Sequence, residues 1–138
     1  MTNYIPRHEW LQKIDPAWQP WWDEFAGGLL RLKRRGLEIK FTDKGFLRVR
    51  FRDVGLSNSQ CWGSRNHVAL GYEQASTTTF QDRRLRFIPI IEKWIGEQTW
   101  GKPTNETDSR YCQAPIPDHP SRTLILEQFA RLLDNLEV

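Results

Sequence analysis

The sequence predicts one α+β domain: a three-stranded antiparallel sheet packed on helices, with a C-terminal helix after a long connector. Two periodicities predict this class. Apolar residues recur at three- and four-residue steps in three segments, the period of a helix, and at every second residue in three others, the period of a strand. The length of 138 residues corresponds to a single domain, here residues 1–138, with one core.

Residues 15–35 are predicted to form the first helix. Asp15 has the side chain of an N-cap, and Pro16 suits the first helical position. Gly27 and Gly28 are expected to end or bend this helix. An aromatic stripe at helical spacing is typical of a core face. The stripe comprises Trp18, Trp21, Trp22, Phe25, Leu29 and Leu32.

Residues 36–72 are predicted to form the three-stranded meander. Residues 37–41 and 46–52 alternate with period two, and the turn between them contains Gly45, which together indicate a β-hairpin. The polar segment 53–66 is expected to be a loop, and residues 67–72 are expected to return as the third strand. The face away from the helices would display Glu38, Lys40, Arg48, Arg50, Arg52 and His67.

The second half of the chain is predicted to be helix, connector and helix. Residues 76–95 have a helical apolar period, and Pro89 is expected to kink or split that helix. Residues 96–120 are rich in Gly, Pro, Thr and Asn, which predicts an irregular connector. Residues 121–137 form a regular amphipathic pattern and are predicted to be the C-terminal helix.

Positive charge is concentrated in the middle of the chain. Residues 31–93 carry fourteen Lys and Arg against six Asp and Glu, whereas the segments on either side are net acidic. A basic region of this kind favours a polyanionic partner, and the alternative is a solvated surface that happens to be rich in arginine.

Arg48, Arg50 and Arg52 are the most informative residues, because side chains two apart on a strand project from one face. Their spacing of roughly 6.5–7 Å is similar to that of successive phosphates along a nucleic acid strand. Trp62 is a further candidate, since an exposed Trp can stack an unpaired base. The predicted nucleic-acid-binding residues are Arg31, Lys33, Arg34, Arg35, Lys40, Arg48, Arg50, Arg52, Trp62, Arg65, Arg83 and Arg86.

Residues 36–95 resemble the small N-terminal DNA-binding domain of phage-type tyrosine integrases, which is related to the plant AP2 fold. The resemblance lies in the order of elements: GLEIKFTDKGFLRVRF as the hairpin, RNHVALGYEQAS as the third strand, and TTTFQDRRLRFIPIIEKWI as the helix. It implies that the sheet lies in the DNA major groove and that Arg48, Arg50 and Arg52 contact bases or phosphates. We expect no catalytic domain of such integrases within these 138 residues.

Signatures of catalysis and cofactor binding are missing from the sequence, which contains no GxSxG, GxxxxGK[ST] or GxGxxG motif. Cys61, His67, Cys112 and His119 lack the close pairing typical of structural zinc sites. No apolar stretch approaches the roughly 18–20 residues of a membrane span, and the N-terminus lacks the order of a signal peptide. We therefore expect a cytoplasmic protein that is not an enzyme and needs no cofactor or metal.

The predicted function is non-enzymatic binding of DNA or RNA through the arginine-rich sheet face, as in proteins of mobile genetic elements. The first alternative is a small interaction subunit of a ribonucleoprotein or antiviral-defence complex of the CRISPR-effector type. Such a subunit would expose an apolar patch on its first or last helix. The second alternative is an inhibitor that binds a basic protein through the acidic ends of the chain.

Overall fold

The computed structural model describes residues 3–57, 59–62, 66–72, 81–106, 109–116 and 122–137. Within these residues the chain forms four helices and seven strands. The helices are α1 (Arg7–Gln12), α2 (Gln19–Arg31), α3 (Gln81–Glu97) and α4 (Arg122–Glu137). The strands are β1 (Leu37–Phe41), β2 (Phe46–Phe51), β3 (Val54–Gly55), β4 (Ser59–Gln60), β5 (His67–Tyr72), β6 (Lys102–Glu106) and β7 (Ser109–Pro115).

All seven strands belong to one antiparallel sheet, in the order β1-β2-β4-β5-β7-β6, with β3 also paired to β2. The predicted α+β class and the predicted C-terminal helix are therefore confirmed, but the predicted number of three strands is wrong. The hairpin of β1 and β2 is as predicted, with Leu37 opposite Phe51 and Phe41 opposite Leu47. The helices cover one face of this sheet, and we call the opposite face the outer face.

The core lies between the sheet and the helices. Leu47, Val49 and Phe51 of β2 are 0% exposed, as are Phe25 of α2 and Phe129 of α4. Each such side chain contributes roughly 1.5–3 kcal/mol of transfer free energy relative to exposure. The alternation of β2 therefore determines which of its faces packs on the helices.

The predicted first helix, residues 15–35, corresponds to α2, which is shorter than predicted at both ends. Asp15 forms a separate turn, in which its Oδ1 accepts the N–H of Ala17 at 2.9 Å, and α2 begins four residues later. Lys33 has a φ of 47°, outside the helical region, so the helix cannot continue to residue 35. Gly28 does not end α2 but is buried in it, because α4 packs there and a Cβ would collide with Leu126.

Two segments predicted to be irregular contribute strands. Segment 53–66 contains β3 and β4, and β3 follows β2 through a two-residue turn at Arg52 and Asp53. Their φ values of 50° and 68° are those of a type I′ hairpin turn, which matches the twist of the flanking strands. Segment 96–120 contains β6 and β7, and residues 110–115 of β7 pair with β5.

The third predicted strand, residues 67–72, is β5, and it does not pair with the hairpin of β1 and β2. The β3 and β4 segment lies between β2 and β5. The resemblance to the integrase DNA-binding domain depended on three strands followed by a helix, and it stays a prediction.

The last two helices correspond to the predicted ones. Pro89 lies inside α3, which is not split there, and residues 76–80 of the predicted helix lie outside the described part of the chain. Helix α4 buries Ile125, Phe129 and three leucines, the apolar face that its sequence predicts. Among the described residues, no helix is long and apolar enough to cross a membrane.

Candidate nucleic-acid interface

Three basic side chains lie on the outer face of the first hairpin. Lys40 of β1 and Arg50 of β2 are exposed, and Arg48 of β2 is half-buried. They share this face because Leu47 and Val49, which alternate with them, point into the core. We call Lys40, Arg48 and Arg50 the basic cluster.

The pairing of the two strands sets the electrostatics of the basic cluster. Lys40 lies directly opposite Arg48, and Glu38 lies opposite Arg50. Cβ atoms of directly opposed residues are about 4.5–5.5 Å apart, so the first pair places two cations side by side and the second pairs opposite charges. One carboxylate against three cations leaves an excess of two positive charges on this face of the hairpin.

Arg52 does not continue the row formed by Arg48 and Arg50. Strand β2 ends at Phe51, and Arg52 occupies the first position of the type I′ turn, where its backbone N–H donates to the carbonyl of Gly36 at 2.9 Å. Its guanidinium carbon lies 5.1 Å from the centroid of the Phe51 ring. The predicted comb of three arginines on one strand face is therefore reduced to two, with Arg52 at the end of the hairpin.

Two aromatic residues accompany the basic cluster. The N–H of Ile5 donates to the carbonyl of Phe41 at 2.9 Å, and this pairing of the N-terminal segment with β1 brings Tyr4 to the outer face, where it is 57% exposed. The Lys40 Nζ lies 5.8 Å from the centroid of the Tyr4 ring. The Arg48 guanidinium carbon lies 5.5 Å from the centroid of the half-buried Phe46 ring.

Sequence reasoning missed both aromatic residues. The sequence pattern indicates the position of Phe46, because Phe46, Arg48 and Arg50 are alternate residues of one strand and therefore share a face. Nothing local indicated Tyr4, since its position depends on pairing with a strand almost forty residues away.

The basic residues at the end of α2 and directly after it make different tertiary contacts. Arg34 is bound to α4, with its Nη2 3.1 Å from Asp134 Oδ1 and its Nη1 donating to the Leu32 carbonyl at 2.6 Å. Arg31 folds back over Gly27, on the helical side of the molecule. Lys33 and Arg35 are exposed, and Arg35 precedes Gly36 at the end of the hairpin that also holds Arg52.

Trp62 is not an exposed platform. It is half-buried, and a Cβ on Gly45 would lie 2.6 Å from its ring, so the ring packs tightly against the turn of the first hairpin. Lys13, at the end of α1, lies over the ring with its Nζ 5.2 Å from the centroid. Its packing makes Trp62 part of the core edge rather than of the outer face.

The remaining predicted residues do not join the basic cluster in the described structure. Arg86 is exposed on α3, which packs on the opposite face of the sheet. Arg65 and the side chain of Arg83 lie outside the part of the chain that the structure describes.

The two cysteines are buried free thiols. Burial raises the pKa of Cys61 well above its usual value and raises that of Cys112 to about 12. Neutral, enclosed thiols of this kind are poor nucleophiles and poor metal ligands. Among the described residues, no three His, Cys, Asp or Glu side chains are grouped so that they could hold a metal ion.

The apolar faces of the first and last long helices are occupied by the core. Trp22 and Phe25 of α2 and Leu132 of α4 are 0% exposed, and the exposed large apolar residues in the described chain include Leu30 at 42% and Leu85 at 53%. These two lie on different helices. Of the described residues on α2 and α4, Leu30 is the only large apolar one that is exposed, and the alternative of an assembly subunit stays a prediction.

Searches against models of protein families, curated proteins and solved structures found no match to this chain.

Proposed function

We propose that this protein binds nucleic acid through the outer face of its first hairpin. One observation carries the proposal: Lys40, Arg48 and Arg50 share a face of the hairpin on which β1 and β2 contribute a single carboxylate, that of Glu38. Phe41 of β1 and Leu47, Val49 and Phe51 of β2 are buried, so the hairpin is anchored while its charged side is turned away from the core. A polyanion placed there would offset the repulsion between Lys40 and Arg48.

The dimensions of the hairpin suit a short length of phosphate backbone. Its five paired positions extend for about 17 Å at about 3.4 Å per residue. Arg35 and Arg52 lie at one end of the hairpin together with exposed Asp53, and Lys44 lies at the other end next to half-buried Asp43. At roughly 6–7 Å between successive phosphates, this length accommodates about three of them.

The two kinds of cation have different roles in this proposal. Each arginine fork can hold a phosphate with two parallel hydrogen bonds, whereas Lys40 acts as a point charge. Contacts of this type set affinity and position on the strand rather than sequence preference. The proposed activity is therefore binding that weakens steeply as salt is added.

The test removes charge from the outer face without removing bulk. Lys40→Gln/Arg50→Gln changes two exposed residues of the basic cluster, and Lys93→Gln/Arg131→Gln, on exposed positions of α3 and α4, is the charge-matched control. Binding to fluorescein-labelled oligonucleotides is measured by anisotropy from about 50 to 200 mM salt. We expect the first variant to lose about 10- to 100-fold in affinity. The slope of log affinity against log salt concentration should become shallower by about 1.4–1.8.

Two outcomes would contradict the proposal. Equal losses in the two variants would mean that net charge, and not this face, attracts the oligonucleotide. A wild-type protein that binds neither single-stranded nor duplex oligonucleotides at about 50 mM salt would exclude the proposed function and leave the assembly-subunit and inhibitor alternatives.

A further inference from the structure

We infer that the ligand of this face is single-stranded nucleic acid, one of whose unpaired bases stacks on the exposed ring of Tyr4. This inference rests on the proposed function and adds to it a requirement for exposed bases. The observation behind it is that aromatic rings lie next to the basic cluster on one sheet face: Tyr4 and Phe46 flank Thr42 at the turn end of the hairpin, and the next row is Lys40 opposite Arg48. Proteins that hold single strands combine these two features, because cations follow the backbone and rings accept the bases.

The two rings are placed on neighbouring parts of the outer face. Tyr4 pairs with Thr42, and the N–H of Thr42 donates to the carbonyl of Phe46 at 3.0 Å. Tyr4 and Phe46 are thus two strand spacings apart, or about 10 Å. The Lys40 Nζ lies over the Tyr4 ring, 5.8 Å from its centroid, so the base site on Tyr4 has a cation next to it for the adjoining phosphate. The Phe46 ring is half-buried, and the Arg48 guanidinium lies over it.

The contact between Lys40 and Tyr4 does not prevent base stacking. A cation over an exposed ring is favoured by an amount equivalent to about 2- to 5-fold in a binding constant. A base stacked on an aromatic side chain is favoured by about 5- to 150-fold. The base therefore displaces the ammonium group, which then lies close to the phosphate of the same nucleotide.

Duplex DNA cannot use the Tyr4 ring in this way. Its bases are stacked on one another inside the helix, and the duplex presents phosphates and base edges to a protein. The basic cluster can attract a duplex, but Tyr4 would remain without a stacking partner. The Tyr4 ring therefore gives the face a preference for unpaired strands.

The test compares single-stranded and duplex oligonucleotides on the full chain. Labelled oligo(dT) and oligo(U) of about 12 nucleotides, and a DNA duplex of the same length, are titrated at the same salt concentration. We expect the wild-type protein to bind both single strands about 5- to 100-fold more tightly than the duplex. A difference between oligo(dT) and oligo(U) would measure the contribution of the sugar and the base methyl group.

Tyr4 is the residue to change, because at 57% exposure its replacement leaves the core untouched. Tyr4→Leu keeps an apolar side chain but removes the aromatic ring, and we expect it to lose about 5- to 100-fold in single-strand affinity. Tyr4→Phe keeps the ring and should bind like the wild type. The salt slope should be the same in both, since stacking releases no counterions, and circular dichroism checks the fold of both variants.

The outcomes separate this inference from the proposed function. Equal binding of single strand and duplex, or no loss in Tyr4→Leu, would overturn base stacking and leave the charged face as a binding site. Loss of affinity in Tyr4→Phe equal to that in Tyr4→Leu would also overturn it, because the ring alone would then be insufficient. Failure to bind any oligonucleotide would overturn the proposed function itself.

Discussion

Replacement of Gly45 by alanine tests the geometry on which the outer face depends. Gly45 is in the turn between β1 and β2 and has a φ of 84°, a region that residues with a Cβ rarely adopt. The added methyl group would also lie 2.6 Å from two ring atoms of Trp62. The substitution therefore imposes both a backbone strain and a steric overlap on the same turn.

The expected loss of stability follows from these two effects. A left-handed backbone conformation costs about 1–2 kcal/mol for a residue with a Cβ. Displacement of the half-buried Trp62 ring by one methyl group adds about 1–3 kcal/mol. Together they predict a decrease of about 3 kcal/mol in the free energy of unfolding. With 138 residues and an unfolding entropy of about 2.1 cal/mol/K per residue, the melting temperature should fall by about 10 °C.

Gly96→Ala is the matched control, because it adds the same methyl group at an unconstrained position. Gly96 is exposed near the end of α3, and, apart from its chain neighbours and the backbone of its own helix, no described atom lies within 4 Å of the added Cβ. Alanine lowers the conformational entropy of the unfolded chain and favours the helix. We therefore expect this variant to be more stable than the wild type by about 0.4–1 kcal/mol.

Urea unfolding followed by tryptophan fluorescence and by circular dichroism measures both variants. A change in midpoint at constant m-value would identify a change in stability. A Gly45→Ala protein within about 0.5 kcal/mol of the wild type would refute the reasoning, and so would a loss in Gly96→Ala of similar size. Either result would mean that the turn accommodates a side chain.

Three further predictions use other contacts. Gly71→Ala should cost more than about 3 kcal/mol in urea unfolding, because its Cβ would lie 2.8 Å from the Cα of Tyr111 and no rotamer change relieves a backbone contact. Burial raises the pKa of Cys112 from 9.0 to about 12. The contribution of the neutral thiol to stability is therefore complete below pH 9 and is lost as the pH rises towards 12. The free energy of unfolding of Cys112→Ala, measured by urea unfolding, should therefore fall less at alkaline pH than that of the wild type. Arg34→Gln should leave oligonucleotide anisotropy unchanged, since Arg34 is paired with Asp134.

The elements that the sequence predicted correctly are those whose signal is local. The hairpin of β1 and β2 combines strict alternation with a glycine in the turn, and both features act within fifteen residues. Helix α4 has an apolar face that repeats over four turns. In each case burial of one face and local backbone preference favour the same structure.

The strands that the sequence did not predict depend on partners far along the chain. Strand β7 is stabilised by pairing with β5, from His67 opposite Pro115 to Tyr72 opposite Arg110. Its proline and polar residues indicate a loop when they are considered alone. Strand propensity mostly reflects packing against neighbours, so a segment with weak local preference can still be a strand when a partner edge is available.

The candidate site divides in the same way. The sequence by itself determined that Arg48 and Arg50 would share one face, because side chains two residues apart on a strand always do. It also predicted that Lys40 would join them, since the apolar residues that alternate with it and with the two arginines must face the same core. Only the tertiary structure decided that Tyr4 would join them, that Arg52 would turn away, and that Arg34 would bind a carboxylate one hundred residues later. Strand pairs and ion pairs of this kind join groups that are distant in sequence, and the local periodicity of a chain carries no record of them.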